Sequence, residues 1–136
     1  MLFIFYHRGV RKSIRIAINS GLFNLPGKKI LYQSQKEIET VAVDMSEHEI
    51  ERPQKKQKKY YSDQQKYHTI KSQVLANTKS TEIICTAFSN GKTHDFSLFK
   101  KSKLGMNKEL ELLGDKGYQG IKKIHNNSRT HQKNQE

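Results

Sequence analysis

The stretch Ile38-Glu-Thr-Val-Ala-Val-Asp44 is rich in β-branched side chains and closes on an acid. Branching at Cβ suits a pleated, half-buried surface, so the run predicts a buried strand that delivers Asp44 at its C-terminal edge. A second run of this kind stands farther along. Leu110-Glu-Leu-Leu-Gly-Asp115 is short, apolar and ended by an acid, and the glycine-flanked turn Gly114-Asp-Lys-Gly-Tyr-Gln-Gly120 follows it. Two strands that each end on a carboxylate suit a fold that sets them side by side and aims both acids at one point. Like charges held there repel, and a divalent cation relieves the repulsion. Carboxylate oxygens are hard ligands, which select Mg²⁺ or Mn²⁺. A pair of such ions activates an attacking oxygen and stabilises a leaving one, the chemistry of cutting and joining DNA. An Asp at a strand end is also an ordinary turn or capping residue, and the residues alone leave both roles open.

Working outward, two strands are predicted over 66–76 and 82–89, joined by a turn over 77–81 into a hairpin. Asn90-Gly91 ends the second with residues tolerant of positive φ. The segment from Asp95 to Lys103 has an acid at its start, Phe96 and Phe99 three apart, late lysines and Gly105 as a stop, so it predicts a helix of two or three turns with Asp95 as its cap. A short helix is expected over 118–124 and a weak one over 12–21. Past residue 125 the chain is polar and lacks a core face, which reads as a frayed tail.

The chain has 136 residues, the size of one domain with a single core. Only 34% of it is hydrophobic, so that core must be concentrated in the middle segments. Lys and Arg number 25 against 13 acids, a net charge of +12, which favours a polyanionic partner such as DNA over a solvated basic surface only when cations cluster. They do so in Arg52-Pro-Gln-Lys-Lys-Gln-Lys-Lys59. Arg52, Lys55, Lys56, Lys58 and Lys59 form an acid-free run predicted to be an exposed loop, placed to hold DNA backbone near Asp44. Tyr60 and Tyr61 beside it could stack on bases or pack on the sheet, and His68 could touch DNA or simply lie on an exposed strand. The single cysteine, Cys85, rules out an internal disulfide and reads as a small hydrophobe in an intracellular, cytoplasmic protein. The apolar start Met1-Leu-Phe-Ile-Phe-Tyr6 is too short for a signal segment, and no stretch is long enough to span a membrane.

Several blocks, in order, resemble the transposases of insertion sequence 5 type elements: Asp44 through Tyr61, Lys66-Tyr-His-Thr-Ile-Lys-Ser-Gln73, Ile83-Ile-Cys-Thr-Ala-Phe88, His94-Asp-Phe-Ser-Leu-Phe99 and Gly114-Asp-Lys-Gly-Tyr-Gln-Gly-Ile121. The resemblance implies an α/β, ribonuclease H-like mixed sheet (three antiparallel strands, a helix, then a strand parallel to the first) and metal-dependent DNA strand cleavage and transfer. On the matching positions Asp44 is the first catalytic, metal-binding acid and Asp115 the second. The family's third acid, a Glu on a later helix, has no match here, which implies a C-terminally incomplete, catalytically incomplete copy that binds Mg²⁺ or Mn²⁺ weakly and does not complete transposition. The expected organisation is an atypical lead-in over 1–36, a partial catalytic domain over 37–125 and a polar tail over 126–136. The alternative is a non-catalytic nucleic-acid-binding protein that pairs with full-length transposase and modulates it.

Overall fold

Residues 12–22, 24–33 and 38–130 are described in the computed structural model. Five strands, β1 (Thr40–Glu49), β2 (Thr69–Asn77), β3 (Ile83–Asn90), β4 (Glu111–Gly114) and β5 (Ser128–Thr130), form one sheet in the order β3-β2-β1-β4-β5. The first three are antiparallel neighbours in sequence order, β4 returns parallel to β1, and β5 lies parallel to β4. Three helical segments accompany them: α1 over 12–19, the single turn α2 (Gln57–Tyr60), and α3 (Asp95–Lys101) between β3 and β4. This is the ribonuclease H-like order: three antiparallel strands, a helix, and a parallel strand beside the first.

One face of the sheet is the core. Val41 and Val43 of β1, Leu75 of β2, Ile84 of β3 and Leu112 of β4 are buried there, and α3 lays Phe99 against them. Fully burying each such side chain contributes ~1.5–3 kcal/mol. Phe99 meets Tyr118 edge to face at 5.9 Å between centroids, which ties the helix to the turn after β4. Among the described residues no helix is long and apolar enough to cross a membrane.

The structure corrects several expectations. Asp44 is not at the end of its strand, because β1 runs on to Glu49 and residues 45–49 pair with Gln73 back to Thr69 of β2. That ladder satisfies the backbone of a stretch too polar to look like a strand, with Met45 and Glu47 half-buried and Ser46, His48 and Glu49 exposed. The basic segment is not irregular throughout: Lys56 takes a left-handed φ of 57° and starts α2, which a bridge between Tyr61 and His68 then fastens to the sheet. No helix spans 118–124. Gly120, at φ 95°, splits the segment into 3₁₀ turns at Lys116–Tyr118 and Ile121–Lys123.

Residues toward both ends of the described chain join the core and the sheet. The lead-in supplies a core residue, since Leu31 is fully buried, its carbonyl accepts from the Asn107 amide, and the Gly27 amide donates to the Ile84 carbonyl. At the other end Ser128–Thr130 is strand rather than tail: Ser128 is buried, and Arg129 forms an ion pair with Glu111 of β4. The remainder of the expected tail, from residue 131, lies outside the described residues.

Candidate active site

Asp44 and Asp115 stand at the same step of two neighbouring parallel strands. Ala42 of β1 is the register partner of Leu113 of β4, and each acid lies two residues farther along its own strand direction. Side chains two apart share a face, and the extended backbone of Asp115 (φ −84°, ψ −172°) carries that alternation one residue past the end of β4. Both acids are exposed.

Their carboxylates are oriented by backbone amides. Asp44 Oδ1 accepts from the Met45 N–H at 2.8 Å and Asp115 Oδ1 from the Gly117 N–H at 2.9 Å. The Oδ2 atom of each has no hydrogen-bond partner among the described residues. Two hard oxygens, fixed by their neighbours and open to solvent, are a donor pair that fits a divalent cation. Among the described residues no group of three or more His, Cys, Asp or Glu is arranged to hold a metal.

Asp95 is not the cap it was read as. His94 occupies the cap position of α3 without a side-chain bond, and Asp95 is the first helical residue. Its carboxylate is drawn instead to Lys71 of β2, with Nζ at 2.9 Å from Oδ1 and both side chains largely covered. The same carboxylate reaches the turn after β4: a Cβ on Gly117 would stand 2.8 Å from Asp95 Oδ2 and 3.2 Å from Asp115 Oδ1. A side chain there would have to displace one or both carboxylates. Sequence reasoning missed Lys71. Its signal was a lysine in register with Gln73 and Leu75 on the inward face of β2, where an unpaired cation would be costly.

Tyr118 lies beneath this corner, fully buried, with a hydroxyl that has no partner among the described residues. Burial pushes its pKa well above the ordinary value of 10, and the nearby charges of Asp95, Asp115 and Asp44 push it in the same direction. The unfolded chain therefore releases this proton first as pH rises, so stability is retained below pH 10 and falls above it. Tyr118→Phe removes a polar group that was never satisfied. It is expected to leave stability unchanged or raise it by ~1 kcal/mol at neutral pH, with the advantage over the unmodified chain widening above pH 10. Denaturant titrations at neutral and alkaline pH check this; a loss on substitution would show that the hydroxyl has a partner.

The five cations of the basic segment are exposed and follow β1 on the chain, with Lys58 and Lys59 in α2. Arg52 Nε and Nη2 both donate to Gln57 Oε1, at 3.0 and 2.9 Å, which holds the guanidinium in place.

The mixed sheet, with β4 returning parallel beside β1, is of the ribonuclease H-like class, and the chain belongs to the DDE superfamily endonucleases, whose family model matches residues 43–136. Endonucleases of this superfamily act on DNA and use divalent metal ions. The chain is 44% identical over 123 residues to the "Probable transposase for insertion sequence element IS702" of Microchaete diplosiphon. The alignment covers 90% of this chain and 45% of that relative, so the chain spans a little under half the relative's length. No solved structure matches the chain.

Proposed function

We propose that the chain is a transposase polypeptide of the cytoplasm that contributes Asp44 and Asp115, a pair of acids that hold Mg²⁺ or Mn²⁺, to metal-dependent cleavage of DNA strands. The observation that carries this is the common register step of the two acids on β1 and β4, each with one carboxylate oxygen bound to an amide and the other free. The bound cation supplies Lewis-acid stabilisation of the phosphoryl oxygens. The chain's own residues do the positioning: the Met45 and Gly117 amides orient the carboxylates, and Lys71 keeps the charge of Asp95 balanced beside them.

Arg52, Lys55, Lys56, Lys58 and Lys59 grip the DNA backbone. Their contribution is counterion release, so log K falls with log salt at about 0.9 per duplex phosphate neutralised. Replacing Lys55, Lys56, Lys58 and Lys59 with Ala is expected to flatten that slope, measured by fluorescence anisotropy on a duplex. An unchanged slope would leave the segment as solvated surface.

The test of the activity is nicking of DNA bearing the element's ends, in Mn²⁺ and in EDTA, alongside Mn²⁺ binding followed by water-proton relaxation. Metal-dependent nicking and metal binding that both need the two acids support the proposal. Nicking that persists in EDTA, or metal binding indifferent to both acids, overturns it.

A further inference from the structure

Beside the basic turn is an open cavity of about 360 Å³ lined by Arg52, Gln57, Lys58, Tyr61 and His68. That volume falls within the ~300–1,000 Å³ of small-molecule sites, and no acid is among the lining residues. Its walls divide by chemistry. Tyr61 and His68 meet edge to face, with centroids 5.6 Å apart and planes at 76°, so the contact leaves each ring a face the other does not cover. Tyr61 is 37% exposed at this point. Two cations, Arg52 and Lys58, share the lining, and Arg52 is already oriented: Gln57 accepts from Nε and one Nη2 hydrogen, which leaves the Nη1–Nη2 edge, the fork that fits two phosphate oxygens. The whole is rigidly mounted. The Tyr61–His68 bridge joins the rings' backbones, the Ser62 amide donates to the Tyr67 carbonyl, and the Lys92 amide donates to the Lys59 carbonyl.

We propose that this cavity is a subsite for one unpaired nucleotide of a DNA strand, its phosphate on Arg52 and Lys58 and its base against Tyr61 and His68. The inference rests on DNA being the substrate and adds a base contact to the phosphate contacts of the basic segment. A ring stacked on a base is indifferent to which base it is, and by alanine substitution a stack of this kind is worth about 5-fold to more than 100-fold in affinity. An unpaired nucleotide is the form in which a base offers its face. A duplex hides it.

The experiment uses the full chain in EDTA, so that metal chemistry plays no part, and a labelled oligothymidine strand against an abasic strand of the same length. The unmodified chain is expected to bind the oligothymidine on the order of tenfold more tightly than the abasic strand. Tyr61→Ala should lose a similar factor on oligothymidine and nothing on the abasic strand, while Tyr61→Phe keeps the preference. Arg52→Gln should lower the salt slope on both strands by about 0.7, one single-strand phosphate. Equal affinity of the unmodified chain for the two strands overturns the subsite, as does a Tyr61→Ala loss of equal size on both. Either result leaves the metal-dependent nicking of the proposed function untouched, and failure of nicking leaves this binding preference untouched.

Discussion

Asp115→Asn is expected to lower metal-dependent nicking by ~10² to 10³, and Asp44→Asn by a similar factor, because each removes one of the two charges that, in the proposed catalytic pair, would hold the cation. Asn keeps the shape of Asp, and its side-chain oxygen still accepts from the Gly117 amide, or from the Met45 amide at position 44, so the turn and the strand persist. Stability should therefore hold or rise slightly, since Asp115 stands beside the carboxylate of Asp95 across Gly117 and loses a like-charge neighbour on substitution. Three readouts separate chemistry from folding: thermal unfolding unchanged, Mn²⁺ relaxation enhancement lost, nicking lost. Wild-type nicking by both Asn variants would remove the two acids from the chemistry. Loss of folding in either would mean that the carboxylate charge serves the turn.

The fold was legible where hydrophobic pattern and periodicity agreed. Val41 and Val43, Leu75, Ile84 and Leu112 are inward-facing positions of strands read from β-branched or apolar runs, and Phe96 and Phe99 mark the helix that covers them. It was illegible where pairing overrides composition. Met45 to Glu49 contains a serine, a histidine and two glutamates, and nothing local says strand; the partner segment 69–73 makes it one. Ser128–Thr130 is a strand for the same reason, against a neighbour already in place. The pair Asp44 and Asp115 could be named from two acids that follow apolar runs, and their shared register step follows from the parallel pairing of β1 with β4, which no local pattern encodes. Asp95 was misread because a carboxylate before a helical pattern is usually a cap, whereas here the charge of Lys71, distant in sequence, outcompetes the helix amides.

Gly91→Ala is expected to destabilise the chain by ~3 kcal/mol, which for a domain of this size lowers the melting temperature by roughly 10 °C. A Cβ there would stand 2.0 Å from the Thr69 hydroxyl, 2.8 Å from the Tyr60 carbonyl and 2.9 Å from the Thr69 carbonyl. None of these can step aside cheaply. Thr69 is fully buried with its hydroxyl donating to Glu47, its carbonyl accepts from the Gly91 amide at 2.9 Å, and the Tyr60 carbonyl belongs to the main chain of α2. Relief requires moving β2, β3 or the basic turn, so the loss in stability should come with weaker oligonucleotide binding as α2 and the Tyr61 ring are displaced. Gly27→Ala separates space from backbone conformation, because Gly27 has φ 81° but nothing within 4 Å of the point where a Cβ would stand. Only backbone strain acts there, at ~1–3 kcal/mol, because φ 81° with ψ 163° is a conformation essentially reserved for glycine. Thermal unfolding followed by circular dichroism should therefore rank Gly91→Ala below Gly27→Ala, and the reverse order would mean that the close approach to Tyr60 and Thr69 is not what glycine at 91 serves.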